Sequence, residues 1–136
     1  MSNRFAVADT NAMISFYLGR QSASFAAVQH LLDNYRPLAS TETFSEFHEV
    51  ILRDKFNRIA LARRQSFIAA YGQAVTIIEP HIDVAACVDP KDDKFLSLAV
   101  SGNASLILTS DDHLLRLHPF RGINILSPAT YLALPR

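Results

Sequence analysis

Residues 91–111 read Lys91-Asp92-Asp93-Lys94-Phe95-Leu96-Ser97-Leu98-Ala99-Val100-Ser101-Gly102-Asn103-Ala104-Ser105-Leu106-Ile107-Leu108-Thr109-Ser110-Asp111, and two patterns follow one another along them. Phe95, Leu96 and Ala99 share one face at helical spacing, which predicts a helix from about Lys91 to Ser101. The Asp89-Pro90 turn opens it and Gly102-Asn103 stops it. Leu106 to Thr109 is a short, largely apolar run, which predicts a strand buried on both faces. A helix feeding such a strand is the repeating unit of an α/β fold.

The alternation continues in both directions. Phe5 to Ala8 predicts a buried strand, followed by a helix from about Ala12 to Leu18 that breaks at Gly19, and a second from about Ser22 to Tyr35. Pro37-Leu38-Ala39 is a brief extended piece; Ser40 or Thr41 then caps a helix to about Arg53, and another occupies about Ile59 to Gly72. Val75 to Ile78 is β-branched throughout and closes at Pro80, so a strand is expected there. Asp111 to Leu117 reads as a short helix, Ile123 to Leu126 as the last strand, and Ser127-Pro128 as the start of a terminal helix. The expectation is a three-layer α/β/α sandwich with a mostly parallel central sheet. Chemistry in such sheets sits beyond the carboxyl ends of the strands.

Composition narrows the function classes. The 136 residues suffice for one domain, and 49% apolar with 19% charged residues is a globular balance. Lys plus Arg number 13 and Asp plus Glu 13, so a protein that binds nucleic acid through bulk positive charge is excluded, and any polyanion must meet a local patch. The one cysteine, Cys87, has no intrachain partner, and no Cys/His cluster has zinc spacing. No apolar run approaches the ~20 residues of a membrane span, and Met1 to Phe5 lacks the apolar segment of a signal peptide. A soluble, cytoplasmic protein that does not engage the membrane is expected.

Acids stand at the positions where chemistry is expected. Asp9 follows the first strand, Asp92-Asp93 opens a helix, and Asp111-Asp112 follows the strand ending at Thr109. Singly, each is a good helix cap. Gathered at one end of one sheet, they repel unless a cation neutralises them, and oxygen-only clusters suit Mg²⁺ or Mn²⁺. Asp92 leads the apolar stripe of its helix and faces inward, whereas Asp93 is turned about 100° away. Asp111 likewise leads Leu114 and Leu115, with Asp112 turned toward Arg116. Asp92 and Asp111 are therefore the expected inner pair, with Asp93 and Asp112 as capping or outer groups. Between Ser40 and Arg53, Phe44, Phe47 and Ile51 form the core stripe, with Glu42 and Glu49 opposite. Glu46 lies at the margin, and spacing alone leaves it between a solvated residue and one that reaches into a cleft. His113 and His118 follow the last acids closely, either as contacts to a substrate phosphate or as ordinary surface or core residues.

Four segments carry a resemblance. Ala8-Asp9-Thr10-Asn11 resembles the opening of a PIN domain. Ser40 to Lys55, with Glu46 six residues after Ser40 and Arg53-Asp54-Lys55-Phe56 beyond, is similar to that family's second segment. Asp89 to Ala99 and Leu108-Thr109-Ser110-Asp111 resemble its third and fourth acidic segments. The likeness spans about Ala6 to Tyr131 and lies nearest the VapC-type toxins of toxin–antitoxin pairs. Ser110 and His113 depart from it, standing where the family commonly has Gly and an acid. The resemblance implies a single PIN-like domain over residues 1–136 and a metal-dependent ribonuclease that cuts single-stranded RNA. It implies Asp9, Glu46, Asp92 and Asp111 as catalytic, metal-binding carboxylates for Mg²⁺ or Mn²⁺, with Thr10 and Asn11 serving them. It also implies a cognate antitoxin as partner; a homodimer is a further candidate assembly.

Arg53, Lys55, Arg58, Arg63 and Arg64 form the densest basic stretch, with Phe56 or Tyr71 as stacking surfaces. The patch is read either as an RNA lip or as the seat of an antitoxin's acidic tail. Two other classes fit the residues less well. A non-catalytic PIN-like module that binds RNA or protein is disfavoured by the presence of all four acids. A phosphatase of the haloacid dehalogenase type wants Asp where Asn11 stands, and a receiver domain wants an acidic pair where the first strand offers only Asp9.

Overall fold

The computed structural model describes residues 4–19 and 22–135; Met1 to Asn3, on which the leader expectation rests, lie outside them. The elements run β1 (Phe5–Ala8), α1 (Thr10–Tyr17), α2 (Ala23–Asn34), β2 (Arg36–Ala39), α3 (Thr41–Ile51), α4 (Leu61–Ala74), β3 (Thr76–Ile77), α5 (Asp93–Ser101), β4 (Ala104–Leu108), α6 (Asp112–Leu115), β5 (Asn124–Leu126) and α7 (Pro128–Leu132). The five strands form one all-parallel sheet in the order β3-β2-β1-β4-β5.

Strand alternation divides the core into two layers. Ala6, Ala8, Leu106 and Leu108 face the side covered by α1, α2, α3, α4 and α7, where Met13, Leu31, Phe47 and Tyr131 are buried. Val7, Ile107 and Ile125 face the other side, packed by Phe95, Leu96 and Leu98 of α5 and Leu114 of α6. This is the expected three-layer α/β/α sandwich, with a sheet that is parallel throughout. Among the described residues, no helix is long and apolar enough to cross a membrane.

Differences from the sequence reading have local causes. The expected strand from Val75 to Ile78 shrinks to two residues because β3 is the sheet edge; Ile77 there is 49% exposed. A 3-10 turn over Pro90–Asp92 takes the place of the first turn of the expected helix, so α5 starts at Asp93. At its other end, Gly102 is closely packed: an added Cβ would lie 2.4 Å from Leu38 Cδ1 and 2.7 Å from Ile78 Cδ1, so both side chains would have to shift. The left-handed residue is Asn103, with φ 55°.

Residues 78–89, between β3 and the 3-10 turn, have no regular structure and are tied down by side chains of α5. Ser101 Oγ accepts from the amides of His81 and Ile82, and Ser97 Oγ from that of Val84. Asp93 Oδ1 accepts from the amides of Ala86 and Cys87 at 3.0 and 2.8 Å.

Candidate active site

In this strand order the direction of winding across the sheet reverses between β1 and β4, and the crevice beyond their carboxyl ends is where α/β sheets bind ligands. Asp9 is the residue after β1 and the N-cap of α1. Its Oδ1 accepts from the Ala12 amide at 2.9 Å, and its Oδ2 from the Thr109 hydroxyl at 2.5 Å. The sheet register carries on one step past both strands, since the Asp9 amide donates to Leu108 O and the Thr109 amide to Leu126 O. Thr109 is fully buried, and its Oγ1 also accepts from the Asp111 amide at 3.0 Å. One hydroxyl thus fixes the relative positions of two acids.

Asp111 caps α6 through the His113 amide at 2.8 Å. Asp92 is the N-cap of α5, but its side chain makes no capping bond. Glu46 reaches in from α3, as its place at the edge of the apolar stripe allows. Its Oε1 accepts from the Thr10 hydroxyl, and its Oε2 pairs with Lys94 Nζ at 2.8 Å. Asp9, Glu46, Asp92 and Asp111 line a single cavity of about 290 Å³ together with Thr10, Asn11, Arg53 and Lys55.

Burial raises the Asp9 carboxyl above its ordinary range; the bonds from Thr109 and Ala12 oppose this, and the Asp111 and Glu46 charges add to it. Asp92 is pushed up to about 6, first by burial and then by the facing Asp111 carboxylate. These are the marks of negative charge that the chain does not fully compensate. Lys94 offsets one charge, on Glu46, and the remaining donors are hard oxygens of the kind that hold Mg²⁺ or Mn²⁺. The residues present therefore fit a divalent cation.

A pH dependence follows. A carboxyl whose pKa is raised by folding keeps its proton in the folded state after the unfolded chain has lost it, so each upward pH step in that window favours unfolding. For Asp92 the window runs from ~4, the unfolded value, to about 6. In a chelator, the melting temperature of wild type relative to Asp92→Asn should fall across that window and then level off. Added divalent cation should reverse the fall. A difference that stays flat from pH 4 to 6 would remove Asp92 from the repelling cluster.

The other sequence candidates are placed as follows. Asn11 is exposed at the cavity, whereas Asp93 faces away and holds the Ala86–Cys87 loop, and Asp112 is exposed on α6. The basic stretch divides. Arg53 and Lys55 line the cavity, Arg58 borders a neighbouring groove with Leu18 and Phe56, and Arg63 lies over the Phe67 ring. Arg64 departs from that expectation: it is buried, with its guanidinium on the carbonyls of Ile59 and Ile51 at 2.9 and 3.3 Å, and so presents almost no charged surface to a strand. Tyr71 is buried between Phe44 and Phe47 and offers no face for a base. His118 Nδ1 accepts from the Ile125 amide, a structural role.

Three contributors escaped the sequence reading in whole or in part. Thr109 was legible as a polar residue closing an apolar strand. Lys94 was not, because its contact with Glu46 joins two helices far apart in sequence. His113, left open above, sits beside both inner acids: its Nδ1 is 3.8 Å from Asp92 Oδ2 and 3.9 Å from Asp111 Oδ1.

Comparison with solved structures gives the same fold at low sequence identity. VapBC2 from Rickettsia felis bound to a promoter DNA fragment matches with a TM-score of 0.61 and 13% identity, over 90% of this chain and 98% of that one. VapBC-1 from nontypeable Haemophilus influenzae matches with a TM-score of 0.61 and 16% identity, over 92% and 98%. DNA-bound VapBC from Salmonella typhimurium gives 0.60 and 14%, over 92% and 98%. Comparison with curated proteins yields no match. The PIN domain family model matches residues 6–113, a span that takes in all four acids of the cavity. By that match the chain belongs to the PIN domain family.

Proposed function

We propose that the protein is an endoribonuclease that uses Mg²⁺ or Mn²⁺ to hydrolyse phosphodiester bonds of single-stranded RNA, as the toxin of a cytoplasmic toxin–antitoxin pair. The observation that carries this is the convergence of Asp9, Glu46, Asp92 and Asp111 on one cavity in a PIN domain. The VapBC complexes that share the fold support an antitoxin as partner. We propose further that the whole chain acts as one domain.

A divalent cation at such a site lowers the pKa of an attacking water and neutralises charge on the phosphate being cut. The chain's own residues prepare the place. Asp9, Asp92 and Asp111 supply the hard oxygens, and Thr109 keeps Asp9 and Asp111 in register. Thr10 and Lys94 hold Glu46 by both oxygens, so that it orients groups at the cavity wall. Arg53 and Lys55, at the same cavity, meet the phosphates flanking the scissile bond.

Single-stranded RNA incubated with Mg²⁺ or Mn²⁺ should be cut internally, and a chelator should stop the reaction. Intact RNA under all metal conditions, with folded protein, would overturn the nuclease reading. The charge placement adds a second expectation. Replacing Arg53 and Lys55 together by alanine should weaken RNA binding and flatten its salt dependence by about 1.4 in log–log slope, at ~0.7 per phosphate contact for single strands. Replacing Arg58 and Arg63 should change the slope far less. Equal slopes for the two double variants would move the entry path away from the cavity.

A further inference from the structure

We propose that His113 is a ligand of the bound cation, and that its nitrogen tilts the site toward Mn²⁺ over Mg²⁺. The proposal rests on the metal-dependent reading of the cavity above. One atom each from Asp92, Asp111 and His113 lie within 4.8 Å of one another. The separations of His113 Nδ1 from Asp92 Oδ2 and Asp111 Oδ1, 3.8 and 3.9 Å, are too long for hydrogen bonds. They lie between the ~3.0 Å of adjacent ligands and the ~4.2 Å of opposite ones at ~2.1 Å from one cation, so a small turn of the ring brings all three atoms onto one ion.

The local chain explains why the ring is held there. The Asp111 carboxylate accepts from the His113 amide, which closes the first turn of α6 and places the imidazole on the side of the acids. The ring is partly exposed, so it can adjust to an ion, and among the described hydrogen bonds none engages either ring nitrogen. Glu46 and Asp9 are differently placed. Both oxygens of Glu46 are taken by Thr10 and Lys94, and both oxygens of Asp9 by Ala12 and Thr109. Asp9 therefore offers its oxygens from a fixed position, whereas Asp92, Asp111 and His113 have more freedom to turn their donor atoms inward.

The donor type carries the selectivity. Mg²⁺ is hard, keeps its waters and takes oxygen ligands, whereas imidazole is a good ligand for later divalent ions. Replacing an oxygen by a nitrogen at one corner penalises Mg²⁺ more than Mn²⁺. A carboxylate at the same position should do the reverse.

The test uses Mn²⁺ itself as a spectroscopic probe on the intact protein, without RNA. Wild type loaded with Mn²⁺ should show ¹⁴N modulation in pulsed electron paramagnetic resonance, and His113→Asn should lose it while staying folded by circular dichroism. Competition of Mg²⁺ against bound Mn²⁺ gives the second readout. His113→Asp should lower the preference for Mn²⁺ by on the order of tenfold, the lower end of what even an outer partner of a ligand contributes. Bound Mn²⁺ without a nitrogen signal, or with one that persists in His113→Asn, overturns the role of His113 and leaves the metal-dependent reading standing. No Mn²⁺ binding to wild type or either variant overturns both.

Discussion

Asp9→Asn should abolish RNA cleavage, by roughly a thousandfold or more, while leaving the metal-free protein as stable as wild type or more so. The two effects have opposite signs because the charge at this position serves the site at the expense of the fold. Asp9 is 6% exposed, and burial together with the Asp111 and Glu46 charges disfavours its ionised form. The amide of Asn keeps the shape and can still accept from the Ala12 amide, so the cap of α1 survives. What disappears is the buried charge. Cleavage assays in Mg²⁺ and urea melts in chelator give the two numbers from one preparation. Activity within tenfold of wild type would remove Asp9 from the chemistry; a large loss of stability would mean that its role is to hold the fold.

The second large effect separates neighbouring acids. Asp92→Ala and Asp111→Ala should each lower cleavage by at least ~10²-fold, beyond what losing an outer partner of a metal ligand costs. Asp112→Ala, at an exposed position on α6, should stay near wild type. Asp93→Ala should behave differently from all three. Its carboxylate holds the amides of Ala86 and Cys87, so its removal should loosen that loop at about 1 kcal/mol of stability with activity per folded molecule nearly intact. Equal activity losses at Asp92 and Asp93 would mean that both carboxylates face the substrate.

The distinction between Asp92 and Asp93 was legible because a helix turns by a fixed angle per residue, and one side of α5 is apolar. Strands β1 and β4 were legible for a similar reason: each is largely buried on both faces and reads as a mostly apolar run. β3 was less so, because an edge strand can expose Ile77, and the rule that apolar β-branched runs are buried fails there. The basic stretch shows the limit of counting charges. Arg64 looks like its neighbours in sequence, yet its guanidinium closes the carbonyl ends left by α3 and the following loop. Lys94 and Glu46 meet only after two helices dock, and no spacing rule within either helix contains that contact.

The pairing of β1 with β4 also constrains when the acidic cavity can form. Thr109 and Asp9, joined by a buried bond, are 100 residues apart in the chain. During synthesis, the amino-terminal strand must therefore wait for most of the polypeptide before its carboxylate meets its counterparts. Contacts of such long range also form late in folding, since the loop they close is large. A chain interrupted anywhere before Ala104 has no β4 to place beside β1, and carries neither Thr109 nor Asp111. A nascent or truncated chain therefore lacks the complete acidic cavity, and only the finished chain can carry whatever chemistry that cavity performs.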